Sequence, residues 1–465
     1  NFPIEFIESL GKVPCCDARS LLAALQQDPV LSIRFNPGKS AIRPNRNRIP
    51  WCDEAMYLNR RPIFTLDPLF HAGLYYVQEA SSMLVGRAVS HLFGPNPSIT
   101  ALDACAAPGG KSTLLSSILG NNSILVANEM NRQRCSFLSE NIQKWGIPNT
   151  IVSNAESVTF KSLPHQFDLI LADVPCSGEG MFRKDDVAIT EWSLKNVEMC
   201  ADRQREIIEN LWPSLKPGGI LIYSTCTFNT SENEENVQWI AENLGADSVK
   251  FPTEPDWGVK EIMWGEIFSY RCFPGVCRGE GFAFSILQKH DEQPERIRNK
   301  KPPFFQNINE KQMPTIKNWS TIVESSAIQF PNSQIKLIPK HMTEPLAVFG
   351  SSIKIVHAGN TLGEVKGKDI VPDPAFAFST VINSQHFDKV STNKKVSLDY
   401  FSKLSIQLPD ETNGIKLLTY KESPYGFVKN IGNRANNSYP QEWRIRMNTQ
   451  NADDWDIFSE MECTA

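Results

Sequence analysis

The chain has 465 residues, 41% apolar and 21% charged, with a formal net charge of −5. At about 150 residues per domain this is material for about three domains, and the composition excludes a disordered or fibrous protein. No run approaches the roughly 20 apolar residues of a membrane span, and any nucleic-acid binding at this charge depends on local basic patches.

The chain opens on NFPIEFIESL without Met, so its start is expected to be trimmed. That stretch lacks the basic region and apolar core of a secretion signal. Eleven cysteines, an odd number scattered singly, argue against a disulfide framework. Their spacing offers no metal site, and reduced thiols fit a cytoplasmic protein. Residues 1–75 carry LSIRFNP and several arginines, Arg34, Arg43, Arg46, Arg48, Arg60 and Arg61, and read as a small accessory domain.

From Gln78 to Gln288 strands and helices alternate. Ile99–Leu102 reads as a buried strand and Thr113–Leu119 as a helix stopped by Gly120. Ser123–Ala127 is the next strand. Arg132–Trp145 is a helix with Cys135, Leu138, Ile142 and Trp145 on one face and Gly146 as its stop. Thr150–Ser153 and Phe167–Ala172 are strands. Val197–Trp212 is a helix ended by Pro217-Gly218-Gly219, and Ile220–Ser224 is a strand. Ser231 and Glu234 form a capping box for a helix running to about Leu244. This alternation implies a parallel, doubly wound sheet. The polar stretch HDEQPERIRNKKPP after Gln288 reads as a linker. Beyond it come strand-like runs at Ile335–Ile338, Ala347–Phe349 and Ile353–Val356, within β-rich or α+β modules, and a break is expected near residues 375–390.

In an open parallel sheet, ligands bind beyond the carboxyl ends of the strands. Those ends carry Asp103 with ACAAPGGKS, Glu129, Asn154, Asp173 with VPCSGEG, and Ser224-Thr225-Cys226. Gly110-Lys111-Ser112 ends like a phosphate loop, but Cys105 stands where its first glycine belongs, and no GxGxxG is present. An S-adenosylmethionine loop remains, with Glu129 placed to meet a ribose; the alternative is a tight strand-to-helix turn with a solvated lysine. Cys176 and Cys226 fall at neighbouring strand ends, and a thiolate is a natural nucleophile toward an electron-poor ring.

DACAAPGGKST, DVPCSGEGMFRKD and YSTCTFNTSENEENV resemble the signature motifs of the Sun-type (Fmu) RNA cytosine-5 methyltransferases. YVQEASSM at Tyr76–Met83 and CRGEGFAFSILQK at Cys277–Lys289 are similar to the segments that enter and close their catalytic domain. SIRFNP and IPWCDEAMYL resemble the family's amino-terminal extension. GFVKNIGNRANNSYPQEW, at Gly426–Trp443, resembles the carboxy-terminal PUA-like module of its bacterial 16S rRNA branch.

The resemblance implies an α/β chain with a Rossmann-like methyltransferase core. The expected domains are an amino-terminal RNA-binding domain (1–75), the catalytic domain (76–290), a first carboxy-terminal module (303–380) and a PUA-like RNA-binding module (388–465). It implies that Cys226 adds to cytosine carbon 6 and that Cys176 assists release. Asp173 would bind the cytosine near nitrogen 3 and its amino group. Ala107, Pro108, Gly109, Gly110, Lys111, Glu129, Asn154 and Asp173 would hold S-adenosylmethionine, with Asn154 standing where many members have Asp. Arg132 and Arg134 are further candidates at the cofactor. Arg183 and Lys184 are candidates for RNA phosphates, as are Arg34, the arginines from 43 to 61, and the run Arg296, Arg298, Lys300 and Lys301. No metal is expected. The implied partner is 16S rRNA or the 30S subunit, with no membrane, and the chain is expected to be a monomer. The alternatives are the same chemistry on tRNA or 23S rRNA, or a non-catalytic rRNA-binding assembly factor.

Overall fold

The structure is a computed structural model, and it describes residues 2–290, 303–308, 312–322, 324–366, 369–408, 411–450 and 452–462. The linker read from the sequence, with its basic run from Arg296 to Lys301, lies outside the described residues.

The sequence between Thr100 and Leu244 builds the frame of the molecule. Strand β1 (Thr100–Asp103) leads to helix α1 (Gly110–Ile118), β2 (Ile124–Asn128) to α2 (Arg132–Trp145), then come β3 (Thr150–Ser153), β4 (Phe167–Asp173), helix α3 (Leu194–Leu211), β5 (Leu215–Thr225) and α4 (Glu234–Leu244). Asn131 caps α2, its side chain accepting from the amides of Gln133 and Arg134, and Gly146 ends it at φ +80°. Strands β1 to β5 lie in the order β3-β2-β1-β4-β5, all parallel. Alternate residues supply two separate cores: Leu102, Val126, Ile170 and Tyr223 on one face, Ala101, Leu125, Leu169 and Ile222 on the other.

The sheet is not purely parallel. Strands β6 (Lys260–Trp264), β7 (Ile267–Cys272) and β8 (Phe282–Lys289) extend it antiparallel beyond β5. At the other edge β9 (Ile355–Ala358) pairs antiparallel with β3. A stretch read as part of a later module therefore extends the catalytic sheet.

Three local expectations change. Pro217-Gly218-Gly219 does not precede β5 but bulges within it, between the pairs Phe167–Leu215 and Leu169–Ile220. Ala347–Phe349 is helical, inside Thr343–Gly350, where Leu346 and Phe349 are buried; a short apolar run does not separate the two periods. The capping box fails. Asn233 precedes α4 without a side-chain cap, and the hydroxyls of Thr230 and Ser231 bond Glu235 instead, at 2.6 and 3.3 Å.

Ahead of this sheet, Arg48–Ile49, Cys52–Tyr57, Ser32–Phe35 and Tyr75–Val77 form a four-stranded antiparallel sheet. Behind it lie a five-stranded sheet within residues 306–372 and a four-stranded sheet built from Asp388–Ser391, Gly414–Tyr420, Ser423–Asn430 and Ala435–Asn437. Leu69, Tyr75, Phe401, Tyr425 and Tyr439 share one core, so the two ends of the chain pack together. Among the described residues no helix is long and apolar enough to cross a membrane.

Candidate active site

The order of β1 and β4 reverses the direction of winding, and a crevice opens at that point. A cavity of about 380 Å³ occupies it. Asp103, Ala107, Pro108, Gly110, Lys111, Asp173, Lys184 and Cys226 line it, with Tyr76 and Phe282 contributing apolar wall. Gly109, at φ +117°, turns the chain into α1, a conformation that favours glycine.

Lys111 and Asp173 form an ion pair at 2.8 Å, and the Ser224 hydroxyl donates to the other oxygen of Asp173, also at 2.8 Å. Burial, the largest single influence, lowers the Lys111 pKa, but the charge and hydrogen bond of Asp173, with Asp103 and Cys226, together leave it raised. The ammonium also sits 5.2 Å from the centre of the Phe282 ring.

Asp103 ends β1 wholly buried. The Ser112 hydroxyl donates to its Oδ2 at 2.6 Å, and its Oδ1 is buried without a partner among the described residues. An unsatisfied carboxyl oxygen in the wall of this cavity fits a ligand carrying a positive charge. Burial, eased by the Ser112 bond, pushes its pKa up to about 7. In the cofactor-free protein, native Asp103 keeps a proton that the unfolded chain loses near 3.8. Its contribution to stability is full below that value and is lost as pH rises through about 7. The thermal midpoint of the wild type should therefore fall, relative to that of Asp103→Asn, across this window. Parallel profiles for the two proteins would refute the assignment.

Cys226 follows β5 and Cys176 follows β4, and their sulfurs stand 3.0 Å apart. Cys226 lines the cavity and Cys176 does not. The hydrogen bond with Cys226, then desolvation, hold the Cys176 thiol well above the usual cysteine range. Either sulfur can donate in this contact. Three buried groups fix the pair. Glu179 accepts the amides of Phe228 and Asn229, at 2.6 and 3.0 Å, and the Trp192 indole N–H at 3.0 Å. Glu232 accepts the Ser177 amide at 2.9 Å and the Asn229 side chain at 2.7 Å. Arg271 donates to the Phe228 carbonyl at 2.7 Å. Gly180 donates to the Cys226 carbonyl at 2.7 Å, and a Cβ there would meet that oxygen at 2.4 Å, so only glycine fits.

Other expected residues stand apart from the cavity. Glu129 ends β2 with a buried carboxylate, accepting the Asn131 amide at 2.8 Å and lying 3.5 Å from Arg134. The Asn154 side-chain amide donates to the carbonyls of Glu129 and Met130, at 2.8 and 2.9 Å. An aspartate could not make these bonds, so Asn154 holds the turn that carries Glu129. Arg134 also donates to the Ala107 carbonyl at 3.0 Å, and Arg132 is exposed.

Two residues expected at RNA phosphates are engaged within the protein. The Arg183 side chain is 4% exposed, and its guanidinium bonds Glu280, the Gly279 carbonyl and the Ala24 carbonyl. It ties the loop after Cys176 to the amino-terminal domain, with four of its five N–H groups directed at partners within the protein. Arg34 is 1% exposed, bonds Gln78 and Thr113 at 2.9 and 2.7 Å, and stacks over Trp145. Lys184 remains at the cavity, its side chain 28% exposed. Among the described residues no cluster of His, Cys, Asp or Glu could hold a metal ion.

Fold and cavity together define a Rossmann-like, S-adenosylmethionine-dependent methyltransferase. Comparison with known proteins narrows the class. Residues 90–288 match the family model of 16S rRNA methyltransferase RsmB/F, residues 2–80 that of the N-terminal domain of 16S rRNA methyltransferase RsmF, and residues 387–445 that of the methyltransferase RsmF PUA domain. The chain is 31% identical over 479 residues to ribosomal RNA small subunit methyltransferase F of Pectobacterium atrosepticum, covering 95% of this chain and 96% of that one. It is 32% identical over 474 residues to the protein of the same name from Serratia proteamaculans, with the same coverage. The chain belongs to the 16S rRNA methyltransferase RsmB/F family. Among solved structures, a methyltransferase homologue from Pyrococcus horikoshii superimposes with a TM-score of 0.53 at 25% identity, over 62% of this chain and 96% of that one. NSun6 from Pyrococcus horikoshii, solved with SFG, gives 0.52 at 21% identity, over 63% of this chain and 99% of that one, a likeness of fold.

Proposed function

We propose that the protein methylates carbon 5 of cytosine in 16S rRNA through a covalent adduct at carbon 6. The observation that carries this reading is the pair of thiols 3.0 Å apart beside the Lys111–Asp173 pair, with Cys226 alone of the two on the cavity wall.

S-adenosylmethionine, when bound, supplies an electrophilic methyl group. Ala107, Pro108, Gly109, Gly110 and Lys111 would hold it, with Asp103 beside them and Glu129 toward its ribose. The Cys226 sulfur adds to carbon 6, and the electron pair of the 5,6 double bond makes carbon 5 nucleophilic. Asp173, fixed by Lys111 and Ser224, accepts from the cytosine amino group next to nitrogen 3 and favours the adduct. After methylation the proton of carbon 5 passes to solvent, its bonding pair re-forms the 5,6 double bond, the carbon–sulfur bond breaks, and that pair returns to Cys226. The Cys176 thiol, 3.0 Å away, donates a hydrogen bond to the departing thiolate and stabilises it. A cytosine within a helix must leave its stack to reach Cys226.

The test is incubation with labelled S-adenosylmethionine and unmodified 30S subunits, free 16S rRNA, 23S rRNA or tRNA, followed by mapping of the labelled base. Label at cytosine carbon 5 of 16S rRNA is the expected result. Label confined to tRNA or 23S rRNA would keep the chemistry and change the substrate. Cofactor binding with no labelled RNA would favour an assembly factor.

A further inference from the structure

A second hollow, of about 390 Å³, adjoins the first. Tyr76 and Val77 line both, so one strand forms their common wall. Helix α2 gives it Phe137, Lys144 and Trp145; the carboxy-terminal end gives it Trp443, Arg444 and Arg446. No step of the methylation chemistry uses these residues.

The lining combines two chemistries seldom left open to water together. Phe137 is 52% exposed on an otherwise polar stretch of helix. Trp443 is half-buried and held in place. Its ring packs against Phe378 and Tyr439, with centroids 6.4 and 6.2 Å away, and the Lys144 ammonium lies 5.6 Å from its centre. Lys144 is itself paired with Glu140 at 2.6 Å, so its charge is answered within the protein. Arg444 and Arg446 differ. Both are exposed, and neither has an ion pair or hydrogen bond among the described residues. Fixed aromatic faces beside unanswered guanidinium groups match a nucleotide, with a base to stack and a phosphate to neutralise. In a protein of net charge −5, such a local basic rim also concentrates the attraction at one place.

We propose that this groove binds an unpaired nucleotide of the same RNA strand that presents the target cytosine, its base against Trp443 and Phe137 and its phosphate on Arg444 and Arg446. The inference rests on the RNA-methyltransferase reading and adds the subsite that holds the strand beside the cavity. The shared wall supplies the reason for its position. A cytosine drawn out of its stack leaves neighbouring nucleotides unstacked, and an aromatic groove one strand away recovers part of that loss.

The experiment uses the full chain with an unmodified 16S rRNA transcript as probe. It measures retention of the RNA, methylation kinetics and, separately, S-adenosylmethionine affinity. Arg444→Gln/Arg446→Gln should weaken binding and raise KM for RNA about tenfold, leaving kcat and cofactor affinity unchanged. Two lost phosphate contacts should also flatten the salt dependence of binding, by about 0.7 per contact for a single strand. Phe137→Ser, at an exposed position with little risk to folding, should raise KM several-fold, and Trp443→Phe should stay close to wild type where Trp443→Ala does not. Unchanged KM and salt slope in both the arginine and Phe137 variants would overturn the groove while leaving the methyltransferase reading intact. If the wild type binds the transcript and methylates nothing, but the variants lose binding, the groove stands and the catalytic reading fails. If the wild type neither binds nor methylates, both fall.

Discussion

Cys226→Ala should lose methyl transfer altogether, while Cys176→Ala should remain joined to its RNA. Both expectations follow from the proposed roles of the two thiols. The contact with Cys226 and desolvation hold the Cys176 thiol well above the usual cysteine range, so it stays a thiol 3.0 Å from the Cys226 sulfur on the cavity wall. Removing Cys226 deletes the nucleophile, and carbon 5 of cytosine is too weak a nucleophile without addition at carbon 6. A loss of several orders of magnitude is the ordinary consequence of deleting a covalent catalyst. Removing Cys176 leaves the nucleophile in place but takes away the donor that eases its departure, so the adduct forms and persists. Denaturing gels should show a slow-migrating, RNA-linked band for Cys176→Ala and none for Cys226→Ala, whereas S-adenosylmethionine affinity should be similar in both. A trapped band from Cys226→Ala instead would reverse the two roles.

Much of this site was legible in the sequence because parallel sheets are simple to read. Each strand is a buried apolar run, and the residue after it faces the ligand. Asp103, Asp173, Cys176 and Cys226 followed from that rule, and α2 was marked at both ends by Asn131 and Gly146. The two thiols could not be ranked from motif order. The family resemblance ranked them, and the cavity lining includes Cys226 and not Cys176, in keeping with that order. Polar residues away from strand ends were harder. Arg183 sits in a charged turn and reads as exposed, yet Glu280, nearly a hundred residues later in the chain, draws it inside. Glu179 and Glu232 lie in loops that look solvated but are clamped over Phe228, Asn229 and Ser177. Long-range partners of this kind leave no local period or spacing to detect. The groove at Trp443 was hidden for the same reason, since its walls come from residues 65–77, 137–145 and 443–446.

Arg271→Met should be the most destabilising single change in the catalytic core. Arg271 and Glu234 are 1% and 0% exposed and form a bidentate pair through Nε and Nη2. Sequence spacing assigns Glu234 to a helix cap, but the structure turns it inward and gives the Thr230 and Ser231 hydroxyls to Glu235. The remaining guanidinium hydrogens reach the carbonyls of Thr227, Phe228 and Asn229, directly after Cys226. Losing the arginine strands a buried carboxylate and frees those carbonyls, at a cost of about 3–5 kcal/mol for breaking a buried pair from one side. Thermal unfolding followed by intrinsic fluorescence should show the midpoint falling by roughly 10 °C, at the 2–4 °C per kcal/mol usual for domains of this size. Arg271→Met/Glu234→Met should recover part of that loss, because no charge is then left unpaired. Its recovery in activity should be smaller, since methionine offers nothing to the carbonyls that hold the Cys226 loop. A single variant with an unchanged midpoint, or a double variant no better than the single, would show that the pair does not carry this load. The same arginine thus joins stability to chemistry: the contacts that keep the interior neutral also hold the main chain that aims the nucleophile.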